Sequence, residues 1–199
     1  MSRSKPRVAR AHSARLFAFV AWSTIVIAGS LFGPTGPTPA SGQTVAGEWP
    51  AAEPADVESL DSILGALYDV ISGPPGKRDW DRMRSLHVPE ARLIPTFRSP
   101  EGQVEYRAWT VDDYIEQAGA WLEENGFFET EVSRVTERFG TITHAFSTYE
   151  SRYTAQDAEP FQRGINSIQL LHDGERWWIV TIFWNPETDQ SPIPARYQP

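Results

Sequence analysis

Cysteine is absent from all 199 residues, so no disulfide framework and no thiolate metal site can hold this chain together. Histidine is scarce, at four, and never falls in the H-x-x-x-H or H-x-H spacing that zinc favours. There is no G-x-S-x-G elbow, no glycine-rich phosphate loop and no dinucleotide fingerprint. Neither a metal nor a cofactor is therefore expected. Basic residues are also in deficit, at 18 Lys and Arg against 26 Asp and Glu. Five of the bases (Arg3, Lys5, Arg7, Arg10, Arg15) lie in the first 42 residues with no acid, which leaves 13 bases against 26 acids in the rest. A body that acidic repels phosphate backbones, so nucleic acid is not an expected partner. The whole chain is 40% hydrophobic and 12% aromatic. That is a globular composition.

Residues 1–42 read as a secretory signal peptide or an uncleaved anchor with a Pro/Gly-rich tail. Bases precede an uncharged run from Leu16 to Phe32, and small residues follow at Ala40-Ser41-Gly42, at Thr44-Val45-Ala46 and, less well because of Pro39, at Thr38-Pro39-Ala40. The protein is expected to be exported, to periplasm or medium, and to touch membrane only if residues 16–32 stay attached. Residues 43–54 form a linker, 55–186 one domain, and 187–199 a Pro-rich tail.

Within the domain, Val57, Leu60, Ile63, Leu64, Leu67, Tyr68 and Ile71 recur at helical spacing, and Gly73-Pro74-Pro75-Gly76 stops them. Asp79 caps a short helix carrying Trp80, Met83 and Leu86. Ala91–Phe97 reads as a strand with Pro95 at an edge or bulge, and residues 103–108 as its partner. Thr110 begins a helix with Asp112 and Asp113 in its first turn. After Asn125-Gly126 come three long β segments, the last folded at Asp173-Gly174. Helices first and meandering strands last predict an α+β fold, with helices packed in a strongly curved antiparallel sheet.

The run "YDVISGPPGKRDWDRMRSLHVPEARLIP", then "GTITHAFSTYESR" and "RGINSIQLLHDGERWWIV", resembles the nuclear-transport-factor-2-like superfamily, which includes ketosteroid isomerases, scytalone dehydratases and polyketide-cyclase-like proteins. The resemblance implies a cone with a pocket between sheet and helices. It implies no single activity.

With Asp173-Gly174 as a two-residue loop, Leu170 pairs with Trp177, Ile168 with Ile179 and Asn166 with Thr181, and each pair shares a face. The next strand is expected to add Tyr149 opposite Asn166 and Ser147 opposite Ile168. The predicted ligand pocket is then Tyr68, Trp80, Ser147, Tyr149, Asn166, Thr181 and Phe183. It takes either a small, largely apolar molecule or only an internal hydrogen-bond network. The opposite face carries Ile165, Leu171, Trp178, Val180, Ile182 and Trp184, with Phe146 beside them. Such a row in water predicts a homodimer, sheet against sheet, unless the C-terminal tail folds back with Ile193 and Tyr197.

The ketosteroid isomerase relatives use a carboxylate base and an oxyanion hole built from a tyrosine and a neutral aspartic acid. Here Ile94 and Pro95 stand where the base would fall. Tyr68 is the one echo of the tyrosine, and no second acid falls on the predicted pocket face. His144 should point away from the cavity and His172 into solvent. His87 and Tyr68 are the candidates for chemistry, His87 equally well a packed histidine bonded to backbone. Three functions follow: a non-catalytic binder, a lyase or isomerase of the ketosteroid isomerase or dehydratase type, or an interaction domain with a vestigial cavity.

Overall fold

A computed structural model describes residues 49–99 and 101–199. Residues 1–42, the expected signal or anchor segment, and residues 43–48 of the expected linker lie outside the described residues. Among those described, no helix is long and apolar enough to cross a membrane. The elements run α1 (Pro54–Val57), α2 (Leu60–Ile71), α3 (Trp80–Ser85), β1 (His87–Arg98), β2 (Val104–Tyr106), α4 (Val111–Glu124), β3 (Phe128–Phe139), β4 (Ile142–Arg152), β5 (Gln162–His172), β6 (Trp177–Pro186) and a 3-10 turn at Ala195–Tyr197. The fold is α+β, as the order of periodicities predicted.

Local chemistry sets the helix ends. The single helix expected from Asp56 is two, because Ser59 adopts an extended backbone and its hydroxyl accepts the Ser62 N–H to cap α2. Asp79 caps α3 in the same way. Thr110 and Asp113 form a reciprocal capping box at α4. Ile63, Leu64, Leu67 and Val70 of α2 are buried against Ala145, Ile168, Leu170, Ile179 and Ile182 of the sheet. This helix-bearing side is the inner face.

The six strands are ordered β2-β1-β6-β5-β4-β3. The sheet is mixed rather than wholly antiparallel, because β1 runs parallel to β6. The chain reaches β1 from helices already lying across the inner face, so it enters beside β6 in the same sense.

The β5–β6 register differs from expectation in two ways. The turn spans Asp173 to Arg176, so His172 pairs with Trp177 and Leu170 with Ile179. Asp173 Oδ1 accepts the N–H groups of both Glu175 and Arg176 at 2.8 Å, which favours this wider loop over a two-residue one. A bulge then leaves Val180 unpaired, and beyond it Gln169 faces Thr181, Ile168 faces Ile182 and Asn166 faces Trp184. One extra residue reverses the alternation. Ile182 and Trp184, expected outside, therefore point inward and pack on the core. Thr181 and Phe183, expected in the pocket, point outward. Along β4 the register slides by two, placing Ser147 opposite Asn166 and Tyr149 opposite Gly164. An even shift keeps the same face inward.

Ile165, Leu171 and Trp178 do lie outside, as expected. Trp178 is already covered there: the Arg176 guanidinium sits 3.6 Å from its ring centroid and Asp173 accepts its indole N–H at 2.6 Å. The tail also returns across this face. Thr148 Oγ1 donates to the Tyr197 carbonyl at 2.6 Å, the Tyr197 ring lies 4.8 Å from Phe146, and Ile193 is buried.

Candidate functional site

Polar side chains from four elements meet on the inner, helix-bearing side of the sheet. Tyr68, two turns into α2, places its hydroxyl 2.7 Å from Ser147 Oγ of β4. Ser147 donates to Glu131 of β3. Asn166 Nδ2 of β5 donates to Tyr68 Oη at 3.1 Å and reaches Glu129 Oε1 at 3.5 Å. Ser151 of β4 donates to Glu129 Oε2 at 2.8 Å. The result is a chain from Glu131 through Ser147, Tyr68 and Asn166 to Glu129. Two carboxylates are its ends.

Strand alternation produces this gathering. Glu129 and Glu131 are two apart and so share a face, opposite Ser151 and Tyr149. Tyr149 is buried beside them, with its hydroxyl accepting from Gln162 Nε2 at 3.1 Å. Its ring fits because residue 164 is glycine: a Cβ there would lie 2.4 Å from Tyr149 Oη.

Burial dominates the electrostatics. It pushes the Glu129 carboxyl up to about 7, against the opposing hydrogen bonds from Ser151 and Asn166. Burial, followed by the nearby Glu129 charge, raises the Tyr68 phenol well above its ordinary range. Burial likewise raises Tyr149 and Tyr114 of α4, each with a further contribution from Glu129. Glu129 can therefore exchange a proton near neutrality while the phenols around it stay protonated. A carboxyl in that condition, among fixed donors, can hold a hydrogen-bonding ligand or pass a proton.

Of the seven predicted pocket residues, Tyr68, Ser147, Tyr149 and Asn166 come together. Trp80 lies against Gly119 of α4 instead, and Thr181 and Phe183 face outward. Sequence reasoning missed Glu129 and Glu131, although carboxylates two apart in "FETEV" were the available sign. His87 is fully buried, with Nδ1 2.8 Å from the Met83 carbonyl and Nε2 lacking a partner. Burial lowers its pKa to about 4, so it is a neutral packed histidine at physiological pH. His144 points outward onto Ser167, at 2.9 Å. His172 is not free in solvent; it packs on Trp177. Two surface clefts, beside residues 73–79 and on the outer face, are lined by neither Tyr68, Glu129 nor Asn166.

No protein-family model matches this sequence and no curated protein matches it. Solved structures do. One is an NTF2-like protein of unknown function from Silicibacter pomeroyi, 15% identical over 65% of this chain and 94% of that one, with TM-score 0.43. Others of the same description come from Shewanella baltica (12% identical, 66% and 98% covered, TM-score 0.39) and Methylobacillus flagellatus (13%, 65% and 95%, TM-score 0.41). The chain is similar to NTF2-like proteins. Those NTF2-like structures are of unknown function, so ligand and chemistry rest on the residues above.

Proposed function

We propose that this is an exported protein that binds a small, largely apolar molecule within its cone. The molecule's polar group would be held by Glu129, Asn166 and Tyr68. The supporting observation is the convergence of Tyr68, Glu129, Glu131, Ser147, Ser151 and Asn166 beside the apolar core. Burying polar groups is costly unless each finds a partner, and a core of this size folds more easily with apolar residues at those positions. An apolar wall with a few convergent polar groups is the usual form of a small-molecule site.

The near-neutral Glu129 carboxyl favours a second reading, in which the same ring performs general acid–base chemistry of the lyase or isomerase type. A thermal-shift screen of the full chain against sterols, aromatic polyketide-like compounds and small acids tests both. A compound that stabilises wild type and Glu129→Gln, but not Asn166→Leu, supports binding in the ring. A compound turned over by wild type and only bound by Glu129→Gln moves the assignment to an enzyme. Stabilisation that survives Asn166→Leu, or none with any compound, overturns the proposal and leaves an interaction domain.

A further inference from the structure

The C-terminal tail and the outer sheet face enclose a cleft of about 370 Å³, remote from the polar ring. Its size lies in the range of small-molecule sites. Phe146, Ile165 and Phe183 line it from the sheet, and Pro192, Ile193 and Tyr197 from the tail.

The tail wall is fastened rather than draped. Ile193 N–H donates to Glu187 Oε1 at 2.8 Å, Gln198 Nε2 to the Ile193 carbonyl at 2.8 Å, and Thr148 to the Tyr197 carbonyl. Glu187 also faces Arg163 at 3.4 Å, so the one carboxylate in the lining already has its counter-charge. Phe183 remains 46% exposed and offers its ring to whatever occupies the cleft.

Arg196 stands at the rim, its guanidinium 4.6 Å from the Tyr197 ring centroid. Arg82, Arg84, Arg107, Arg134, Arg152 and Arg163 each have a carboxylate partner. Among the described residues, Arg196 is the arginine with neither a hydrogen bond nor an ion pair. A guanidinium stacked on an aromatic ring keeps its planar fork of donors free, and that fork matches a carboxylate.

We propose that this cleft binds a small amphiphile with an apolar body and a carboxylate head. The body lies on Phe183, Ile165 and Phe146, and the head meets Arg196. This site is independent of the one inside the cone.

Calorimetric titration of the full chain with decanoate and with decanol, each below its aggregation limit, tests it. The alcohol keeps the body and removes the charge. Decanoate should bind about tenfold more tightly than decanol, the gain of one charge-assisted contact. Arg196→Gln should weaken decanoate by about the same factor and leave decanol unchanged. Phe183→Asp, at an exposed position that does not carry the fold, should weaken both. Asn166→Leu should change neither. No decanoate binding, equal affinity for acid and alcohol, or decanoate affinity unaltered in Arg196→Gln overturns the proposal. Loss of decanoate in Asn166→Leu alone also overturns it, by placing the ligand inside the cone.

Discussion

Replacing Glu129 with glutamine should alter how stability depends on pH, and in a direction opposite to that of most carboxylates. Burial lifts Glu129 from an ordinary 4.5 to about 7. Between those values the folded chain holds a proton that the unfolded chain has released, so this group makes stability fall as pH rises through the window. At about 1.4 kcal/mol per pH unit the total is roughly 3 kcal/mol, an upper figure because Glu129 keeps partial contact with solvent. His87 acts in the other direction. Burial lowers it from 6.5 to about 4, so the unfolded chain takes up a proton first and stability falls as pH drops through that window. From pH 4.5 to 6.5 the two contributions nearly cancel. Glu129→Gln keeps an acceptor for Ser151 and Asn166 but removes one side of the balance. Its stability should climb relative to wild type by up to about 3 kcal/mol between pH 4.5 and 7, whatever its constant offset. Urea unfolding followed by tryptophan fluorescence across that interval measures it. Wild-type and variant curves that run parallel would refute the placement of Glu129 in a desolvated site.

Other outcomes follow from packing and from the chain's ends. Gly164→Ala would put a methyl 2.4 Å from Tyr149 Oη and 2.6 Å from the Asn185 carbonyl; crowding of this kind costs about 1–3 kcal/mol, and a loss below ~0.5 kcal/mol in urea unfolding would show that Tyr149 swings away freely. For the homodimer expected from the sequence, we propose the patch that the tail leaves open, where Val135, Phe139 and Ile142 share the outer face and Phe139 is 84% exposed. Light scattering should therefore give a dimeric mass that Phe139→Glu reduces to a monomer; a monomeric wild type at micromolar concentration defeats it. N-terminal sequencing of the protein from a bacterial host should find the chain starting beyond Gly42 or Ala46. An intact Met1 in the membrane pellet would establish an anchor.

The fold was legible because its information is periodic. Helical spacing in α2, a Thr-x-x-Asp cap at α4 and alternation in β4 and β5 survive small errors in register. Tyr68, Ser147, Tyr149 and Asn166 were found for the same reason: sliding β4 by two residues leaves the same atoms inside. Thr181, Phe183, Ile182 and Trp184 were misplaced because alternation fails at an odd insertion, and in "WWIVTIFW" the lone polar residue, Thr181, reads as pocket-facing under unbroken alternation, so nothing in the sequence marks the bulge. Glu129 and Glu131 were missed because charge on a strand ordinarily signals solvent. Only the partners Ser151, Ser147 and Asn166, distant in sequence, make an inward carboxylate affordable.

The bulge at Val180 has a consequence for how this protein can change over generations. On an uninterrupted strand, gaining or losing one residue turns every later side chain to the other face. Here the bulge takes up the extra residue: Leu170 pairs with Ile179 and Gln169 with Thr181, as they would if Ile179 and Thr181 were adjacent. Deleting Val180 would therefore straighten β6 and leave Ile182 and Trp184 inward and Thr181 and Phe183 outward. One lost codon would spare the indole opposite Asn166. At this wall the character of the interior is insulated from a one-residue change in chain length, and it turns polar only by substitution of Ile182 or Trp184.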